Sequence, residues 1–165
     1  MNNHTLFGLS ALMSLVASGV FAKLYIWPRL QNMDRDDAFL SLVAPHMFLR
    51  FIGLSFLVPG VVSPSLPAAF AVPAAYGDLV AGILAIATTI ALSRHVSWAT
   101  LLVWVFNVWG AADLLFAAYQ GSHVQINPGM LGAAFFIPTA VVPPLLVTHG
   151  LIFWLLLNSK SWRVS

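Results

Sequence analysis

The sequence predicts an all-α integral membrane protein, in which five transmembrane helices form one bundle and one domain. Of its 165 residues, 60% are hydrophobic and only 7% are charged, whereas a soluble domain carries about 25% charged residues. The mean hydropathy is +0.90. Five apolar runs each approach the roughly 20 residues that a helix needs to cross a bilayer. Too little polar surface is left to face water on all sides.

The five runs predict the helices one by one. All should be helical, because lipid offers no hydrogen-bond partner to an unpaired backbone group. The predicted helices cover residues 6–27, 45–62, 75–92, 97–119 and 131–158. The first is interpreted as a retained helix, since the segment 1–5 lacks the Lys and Arg of a secretory signal. Pro138, Pro143 and Pro144 predict a kink in the fifth.

Two connections between the helices differ in character. The polar segment 31–37 predicts a solvated turn, in which Asp34 could cap a short helix. The segment 59–73 contains four prolines and no charged residue. We expect this apolar loop to lie on the mouth of the bundle or to dip into it, where non-helical backbone is tolerated.

The basic residues predict the orientation of the chain. The loops 60–73 and 120–130 contain no Lys or Arg. The basic residues of the chain are Lys23, Arg29, Arg35, Arg50, Arg94, Lys160 and Arg163. Cytoplasmic loops are enriched in Lys and Arg. Five crossings with the N-terminus outside and the C-terminus cytoplasmic would place all of them on the cytoplasmic side.

Two aspartates fall inside predicted helices, where an ionisable group is costly enough to indicate a function. Asp78 and Asp113 are expected at similar depth near the outer face, with Trp109 on the helical face of Asp113 and Tyr76 at the same level. Two carboxylates this close in low dielectric would not both stay ionised, so they would hold a proton, a cation or the polar head of a ligand. Asp78 could instead cap a helix start, an interpretation that does not extend to Asp113.

A second polar group is predicted nearer the cytoplasm. Asn107 and His149 should lie about 13 Å from the inner helix ends, and His46 and Arg50 approach from the inner side of the second helix. His149 could ligate haem, relay protons or be a hydrogen-bonded core residue. Haem is disfavoured because no second axial ligand is predicted at matching depth. Arg50 is expected to extend its head to the cytoplasmic interface or to neutralise an anionic head group.

Several kinds of site are excluded or disfavoured by the composition. The chain has no cysteine, and therefore no disulfide and no thiolate ligand or nucleophile. It contains no Walker loop, dinucleotide fingerprint or zinc-protease motif, and one histidine without a matched partner predicts no metal site. A net charge of +2 indicates no nucleic-acid partner.

One stretch resembles a known family. Between His46 and Leu92 the sequence reads HMFLRFIGLSFLVPGVVSPSLPAAFAVPAAYGDLVAGILAIATTIAL, with an Arg at a helix start, a Gly/Pro break and a helix rich in small residues. This pattern resembles the DoxX-like small bacterial membrane proteins and covers under a third of the chain. The family usually has four helices. The resemblance implies a bacterial cytoplasmic membrane and a link to quinone-dependent oxidation or to oxidoreductase complexes; it assigns no site residue.

Three functions follow as hypotheses. The leading one is a protein that binds a hydrophobic, quinone-like or lipid-like molecule, or an accessory subunit that holds a partner helix, against the face of Trp109 and Asp113. A proton- or cation-coupled carrier would use Asp78 and Asp113, and would need oligomerisation. A membrane enzyme would use Asp113 or His149 as acid or base.

Overall fold

A computed structural model describes residues 2–158, and within them the regular secondary structure is helical apart from an isolated β-bridge between Pro59 and Val62. Five helices are long and apolar enough to cross a membrane, which indicates a membrane protein. They are α1 (Asn3–Leu30), α2 (Arg35–Leu57), α3 (Ala68–Ser93), α4 (Ala99–His123) and α5 (Ile137–Leu157). The predicted number of long apolar helices is confirmed. Lys160 and Arg163, used for the predicted orientation, lie outside the described residues.

Four helices extend beyond their predicted ends, and α1 is three residues longer at each end. The polar segment 31–37 is not a turn throughout: Asp34 has extended backbone at the N-cap position, and α2 begins at Arg35. Asp36 and Asp37 occupy its first turn, where negative side chains complement the helix dipole. At the other end of the bundle, α3 begins at Ala68 and α4 continues to His123, so both are longer there than the apolar runs indicated.

Pro73, expected in a loop, lies inside α3. A proline within a helix leaves the carbonyl four residues earlier without its usual donor. Here that carbonyl belongs to Ala69, and the side-chain amide of Gln120 from α4 donates to it at 3.3 Å. The Gln120 side chain therefore supplies the hydrogen-bond donor that Pro73 lacks, so the helix continues through the proline.

The C-terminal helix is interrupted, as its prolines predicted. A 3-10 helix, Pro128–Phe135, precedes it and contains Gly132 at φ +51°. A π-helical segment, Ile137–Val141, follows with Pro138 near its start, and regular α-helix runs over Val142–Leu157. Ala133 N donates to Val61 O at 3.0 Å, which ties this segment to the α2–α3 loop.

Helices α2, α3, α4 and α5 form a closed ring in which each packs on its neighbours, and α1 lies outside this ring against α5. Trp27 of α1 meets Trp154 of α5 edge to face, with ring centroids 4.5 Å apart. The α-helical part of α1, Asn3–Phe21, buries none of its residues. The ring is thus the core of the protein and α1 is a peripheral wall.

Two apolar clusters fill the ring at different depths. One lies toward the N-terminal end of α2 and contains Phe39, Val43, Phe106 and Ile152 among others. The second lies toward the other end and includes Phe56, Phe70, Ala74 and Leu131. Five buried polar residues, His46, Arg50, Asp78, Asn107 and His149, fall between these clusters, whereas Thr88 and Thr139 lie within them. The fold therefore places one polar layer between two apolar ones.

Candidate functional site

Asp78 and Asp113, the two acids within the long apolar helices, lie farther from the helix ends than the sequence indicated. Asp78 is ten residues after the first residue of α3, Ala68, and Asp113 is ten residues before the last residue of α4, His123. At 1.5 Å per residue, each is about 15 Å from its helix end, which is half of a hydrocarbon core about 30 Å thick. The expectation that Asp78 caps a helix start is wrong, because α3 extends farther outward than its apolar run.

Arg50 joins the two acids. Its Nη1 donates to Asp78 Oδ1 at 2.7 Å and to Asp113 Oδ2 at 2.9 Å. Its Nη2 donates to the carbonyl of Gly110 at 2.6 Å and lies 2.8 Å from His149 Nε2. The side chain is fully buried. The expectation that Arg50 reaches the cytoplasmic interface is wrong, since a carbonyl and two carboxylates bind it in the middle of the bundle and would lose their partner if it left.

The hydrogen bonds fix the tautomer of His149. Asn107 Nδ2 donates to the His149 carbonyl at 3.2 Å, so its Oδ1 is the atom that faces His149 Nδ1 at 2.7 Å. Nδ1 must therefore carry the proton, because an amide oxygen can only accept. Nε2 is then unprotonated, and its lone pair accepts from the Arg50 guanidinium, which can only donate. His149 is thus neutral, and both of its nitrogens are engaged.

His46 extends the polar layer on the other side of His149. The Thr148 hydroxyl donates to Leu145 O at 2.9 Å, so it accepts from His46 Nε2, which is 2.9 Å away. The two imidazole rings lie with centroids 4.6 Å apart, too close to bracket a haem. The residues expected as two separate polar groups therefore form one connected set, here called the Arg50 cluster: Arg50, Asp78, Asp113, Asn107 and His149, with His46 against its edge.

The backbone of α2 explains how Arg50 reaches this position. The helix changes from α to 3-10 at Arg50, and the 3-10 segment runs over Arg50–Leu57. Its buried residues are Arg50, Gly53 and Phe56, which are three apart, as a helix with three residues per turn requires. One side of the segment therefore carries, in order, the Arg50 guanidinium, the bare backbone of Gly53 and the Phe56 ring.

Three glycines provide the space for the cluster. A Cβ on Gly53 would overlap the Asp78 carboxylate, and one on Gly77 would overlap that of Asp113. A Cβ on Gly110 would lie 2.6 Å from His149 Cε1 and 2.9 Å from Arg50 Nη2. Gly77 directly precedes Asp78 on α3, and Gly110 lies three residues before Asp113 on α4. Their spacing to the acids gave no sign of this role, which depends on how the helices face each other.

The cluster contains unequal charge. One guanidinium faces two carboxylates, so with both acids ionised the net charge is −1, His149 being neutral. One oxygen of each carboxylate accepts a hydrogen bond from Arg50. The others, Asp78 Oδ2 and Asp113 Oδ1, make no hydrogen bond among the described residues, yet they are not among the fully buried unsatisfied atoms. The cluster therefore keeps two acceptor atoms with some access.

Both acids line a cavity of about 870 Å³. Its apolar lining comes from three sides of the bundle. These are α1 (Phe7, Ala11 and Leu15), α3 and α4 (Phe70, Ala74 and Ala117) and α5 (Val142 and Leu146), among other residues. The residues with polar side chains are Asp78 and Asp113 at mid-depth, and His4, Ser122 and Gln125 near the ends of α1 and α4. The cavity is thus an apolar chamber with an acidic floor and a polar rim.

Two predicted site residues lie apart from the cavity. Trp109 is 46% exposed and Tyr76 is 55% exposed, and neither lines the chamber. The Trp109 indole is 3.4 Å from the Gly77 carbonyl. Trp109 is one turn from Asp113 in sequence, but Asp113 points at Arg50 inside the ring, whereas Trp109 crosses to α3 on the outer surface. Within residues 2–158, no group of three His, Cys, Asp or Glu side chains could hold a metal ion.

The buried arginine predicts a large stability effect. Arg50→Met should lower the free energy of unfolding by about 3–5 kcal/mol, because it leaves both carboxylates without their shared donor in a low-dielectric layer. Arg50→Lys should also destabilise, since one ammonium cannot reproduce the fork that reaches four acceptors. Thermal unfolding in detergent measures both.

Arg94→Met is the matched control, because Arg94 is exposed and its removal should change stability by less than about 0.5 kcal/mol. Adding Asp78→Asn to Arg50→Met should cost less than the sum of the two single losses, because the residues are coupled. Strict additivity would mean that the pairing contributes nothing.

The glycine contacts predict a second pair of variants. Gly110→Ala should destabilise by about 1–3 kcal/mol through overlap with His149 and Arg50. Gly150→Ala on α5, where a Cβ would meet nothing within 4 Å, should be neutral or stabilise by up to about 1 kcal/mol. Equal melting temperatures for the two variants would contradict the close approach at Gly110.

The comparisons with known proteins give a family without an assigned activity. Residues 6–157 match the model of a domain of unknown function (DUF8737). Among curated proteins and solved structures, none matches the chain. The matched region covers all five long helices, apart from the first three residues of α1, and every residue of the Arg50 cluster. The chain therefore belongs to the DUF8737 family.

Proposed function

We propose that this protein is an integral membrane protein that binds an elongated, largely apolar molecule in the chamber, with the polar end of the molecule at Asp78 and Asp113. The observation that carries the proposal is the chamber of about 870 Å³ whose apolar walls end at two carboxylates. Ligand pockets typically measure about 300–1,000 Å³ and combine apolar walls with a few placed polar groups. A lipid-like or quinone-like molecule matches this shape.

The arrangement of α1 supports access from the bilayer. Helix α1 packs on α5 and not closely on α4, although residues of both helices line the chamber. Its lining residues Leu12 and Leu15 are 57% and 42% exposed. A molecule dissolved in the membrane could therefore enter between α1 and α4 without crossing water.

The orientation belongs to the same proposal. His95 Nδ1 lies 3.4 Å from Asp36 Oδ2, so the α3–α4 turn and the start of α2 are at the same end of the bundle. Arg35 and Arg94 are at that end, and an excess of basic residues favours the cytoplasmic side. The N-terminus and the mouth of the chamber would then face outside, in a bacterial cytoplasmic membrane if the DoxX-like resemblance holds.

The other functional hypotheses from the sequence remain predictions. An accessory subunit could hold a partner helix against the exposed α1. The carrier would use the second oxygen of each acid, since Arg50 binds one oxygen of each. The enzyme would rely on Asp113, since both nitrogens of His149 are engaged.

Cysteine accessibility tests the orientation, because the chain has no native cysteine. Ser65→Cys and Ser93→Cys place single thiols near the two ends of α3 at exposed positions. A membrane-impermeant maleimide should label Ser65→Cys in intact cells, and Ser93→Cys only after permeabilisation. The reverse pattern would overturn the N-out arrangement.

Filling the chamber tests the binding function. Ala117 lines the chamber, and Ala117→Phe should lower the amount of small molecule that co-purifies by about tenfold, which corresponds to 1.4 kcal/mol. Mass spectrometry of extracts from protein in nanodiscs measures the bound molecule.

Ala112→Phe is the matched control on α4, because Ala112 is exposed and does not line the chamber. It should retain the wild-type amount. Equal loss or equal retention in the two variants would contradict binding in this chamber, and melting temperatures would show that both fold.

A further inference from the structure

The charge at the floor of the chamber determines which polar head group a bound molecule can place there. The floor presents carboxylate oxygens, while Arg50 is fully buried behind them with its terminal nitrogens on four acceptors. Neither Arg50 nor His149 lines the chamber. An incoming polar group at the floor therefore meets acceptors and no donor, unless one of the acids carries a proton.

The spacing of the acids makes them a single acceptor unit. Asp78 and Asp113 both lie within 3 Å of the same nitrogen, Arg50 Nη1. Their side chains are only 10% and 9% exposed, so water screens them poorly. When both acids are ionised, the unit has one positive and two negative charges and lacks one positive charge. A charge at this depth is stable only when it is compensated.

With both acids ionised, the floor disfavours several kinds of polar head group. A carboxylate or phosphate would add negative charge to a site that already has an excess. The carbonyl of an oxidised quinone is an acceptor and would find no donor at the ionised floor. A hydroxyl can donate one bond but leaves the charge unbalanced. A protonated amine supplies donors and the missing positive charge together.

We infer that the molecule bound in the chamber is an amphiphilic amine, whose ammonium group is held between Asp78 and Asp113 and whose apolar body fills the space between α1, α4 and α5. The inference rests on the proposed binding function and adds the chemical class of the ligand. The polar rim of His4, Ser122 and Gln125 lies toward the opposite end of the body. The chamber spans about 13 Å from Asp113 to Ser122 along α4, nine residues at 1.5 Å each.

A probe series with one apolar body and three polar ends tests the inference. Dodecylamine, dodecanol and dodecanoic acid are offered separately to protein in nanodiscs, and binding is followed by native mass spectrometry and by the shift in unfolding temperature. Dodecylamine should bind at least about tenfold more tightly than either of the others, since an ion pair at a poorly screened site outweighs one neutral hydrogen bond.

The acid itself is tested with a matched pair of substitutions. Asp113→Asn leaves Arg50 paired with Asp78 and removes the excess charge, so dodecylamine affinity should fall about tenfold or more while dodecanol affinity stays within about twofold. Asp37→Asn removes an exposed acid near the start of α2 and should change neither. If Asp113→Asn fails to fold, the comparison of the three probes on the native chain decides alone.

The outcomes separate the inference from the function on which it rests. Equal or tighter binding of dodecanol or dodecanoic acid would overturn the amine while leaving a ligand chamber. Binding of none of the three, together with unchanged co-purification in Ala117→Phe, would overturn the chamber as a binding site. Amine binding that persists in Asp113→Asn would show attraction to the bilayer and not to the floor, and would also overturn the inference.

Discussion

The buried guanidinium of Arg50 is the constraint on which the rest of the structure depends. A charge at the middle of a bilayer is stable only where the protein compensates it, and a guanidinium needs several acceptors in one plane. Two carboxylates, a backbone carbonyl and an imidazole lone pair meet these needs from α3, α4 and α5. A single side chain from α2 thereby connects all four helices of the core. The glycines at 53, 77 and 110 follow from this requirement, because polar groups can converge so closely only where the opposing helix has no side chain.

The same requirement shapes the chamber. At the depth of the cluster the helices approach closely, and the apolar cluster below it is packed with large side chains. Above it several of the residues on α3 and α4 that face inward are small, such as Ala74 and Ala117, while α5 begins with a π-helical segment. Prolines prevent regular packing there, and α1 closes the space only partly. The chamber is thus the region that the tight polar layer leaves unfilled, and its floor is the layer itself.

Hydropathy and charge predicted much of this arrangement from the sequence. The five long helices appear as apolar runs, and Asp113 and His149 were identified because an ionisable group in such a run is costly. Arg50 was misplaced because the apolar run of α2 suggested a start at residue 45, within reach of the interface. The helix begins ten residues earlier, at Arg35, and Arg50 lies fifteen residues, or about 22 Å, along it. Which groups meet across helices, and where a cavity remains, depends on helix packing, which no local pattern in one sequence records.

The excess negative charge connects stability with binding. A protein optimised only for stability would pair one arginine with one acid, or replace the set with apolar residues, since buried ion pairs contribute little net stability. Retaining a second carboxylate beside the pair costs free energy in the empty state, because a proton or a cation must compensate it. Any molecule that brings a positive charge to Asp113 relieves that cost and stabilises the folded state by mass action. The proposed binding of an amine would therefore account for an unbalanced acid on the floor of the chamber, which the stability of the fold alone does not explain.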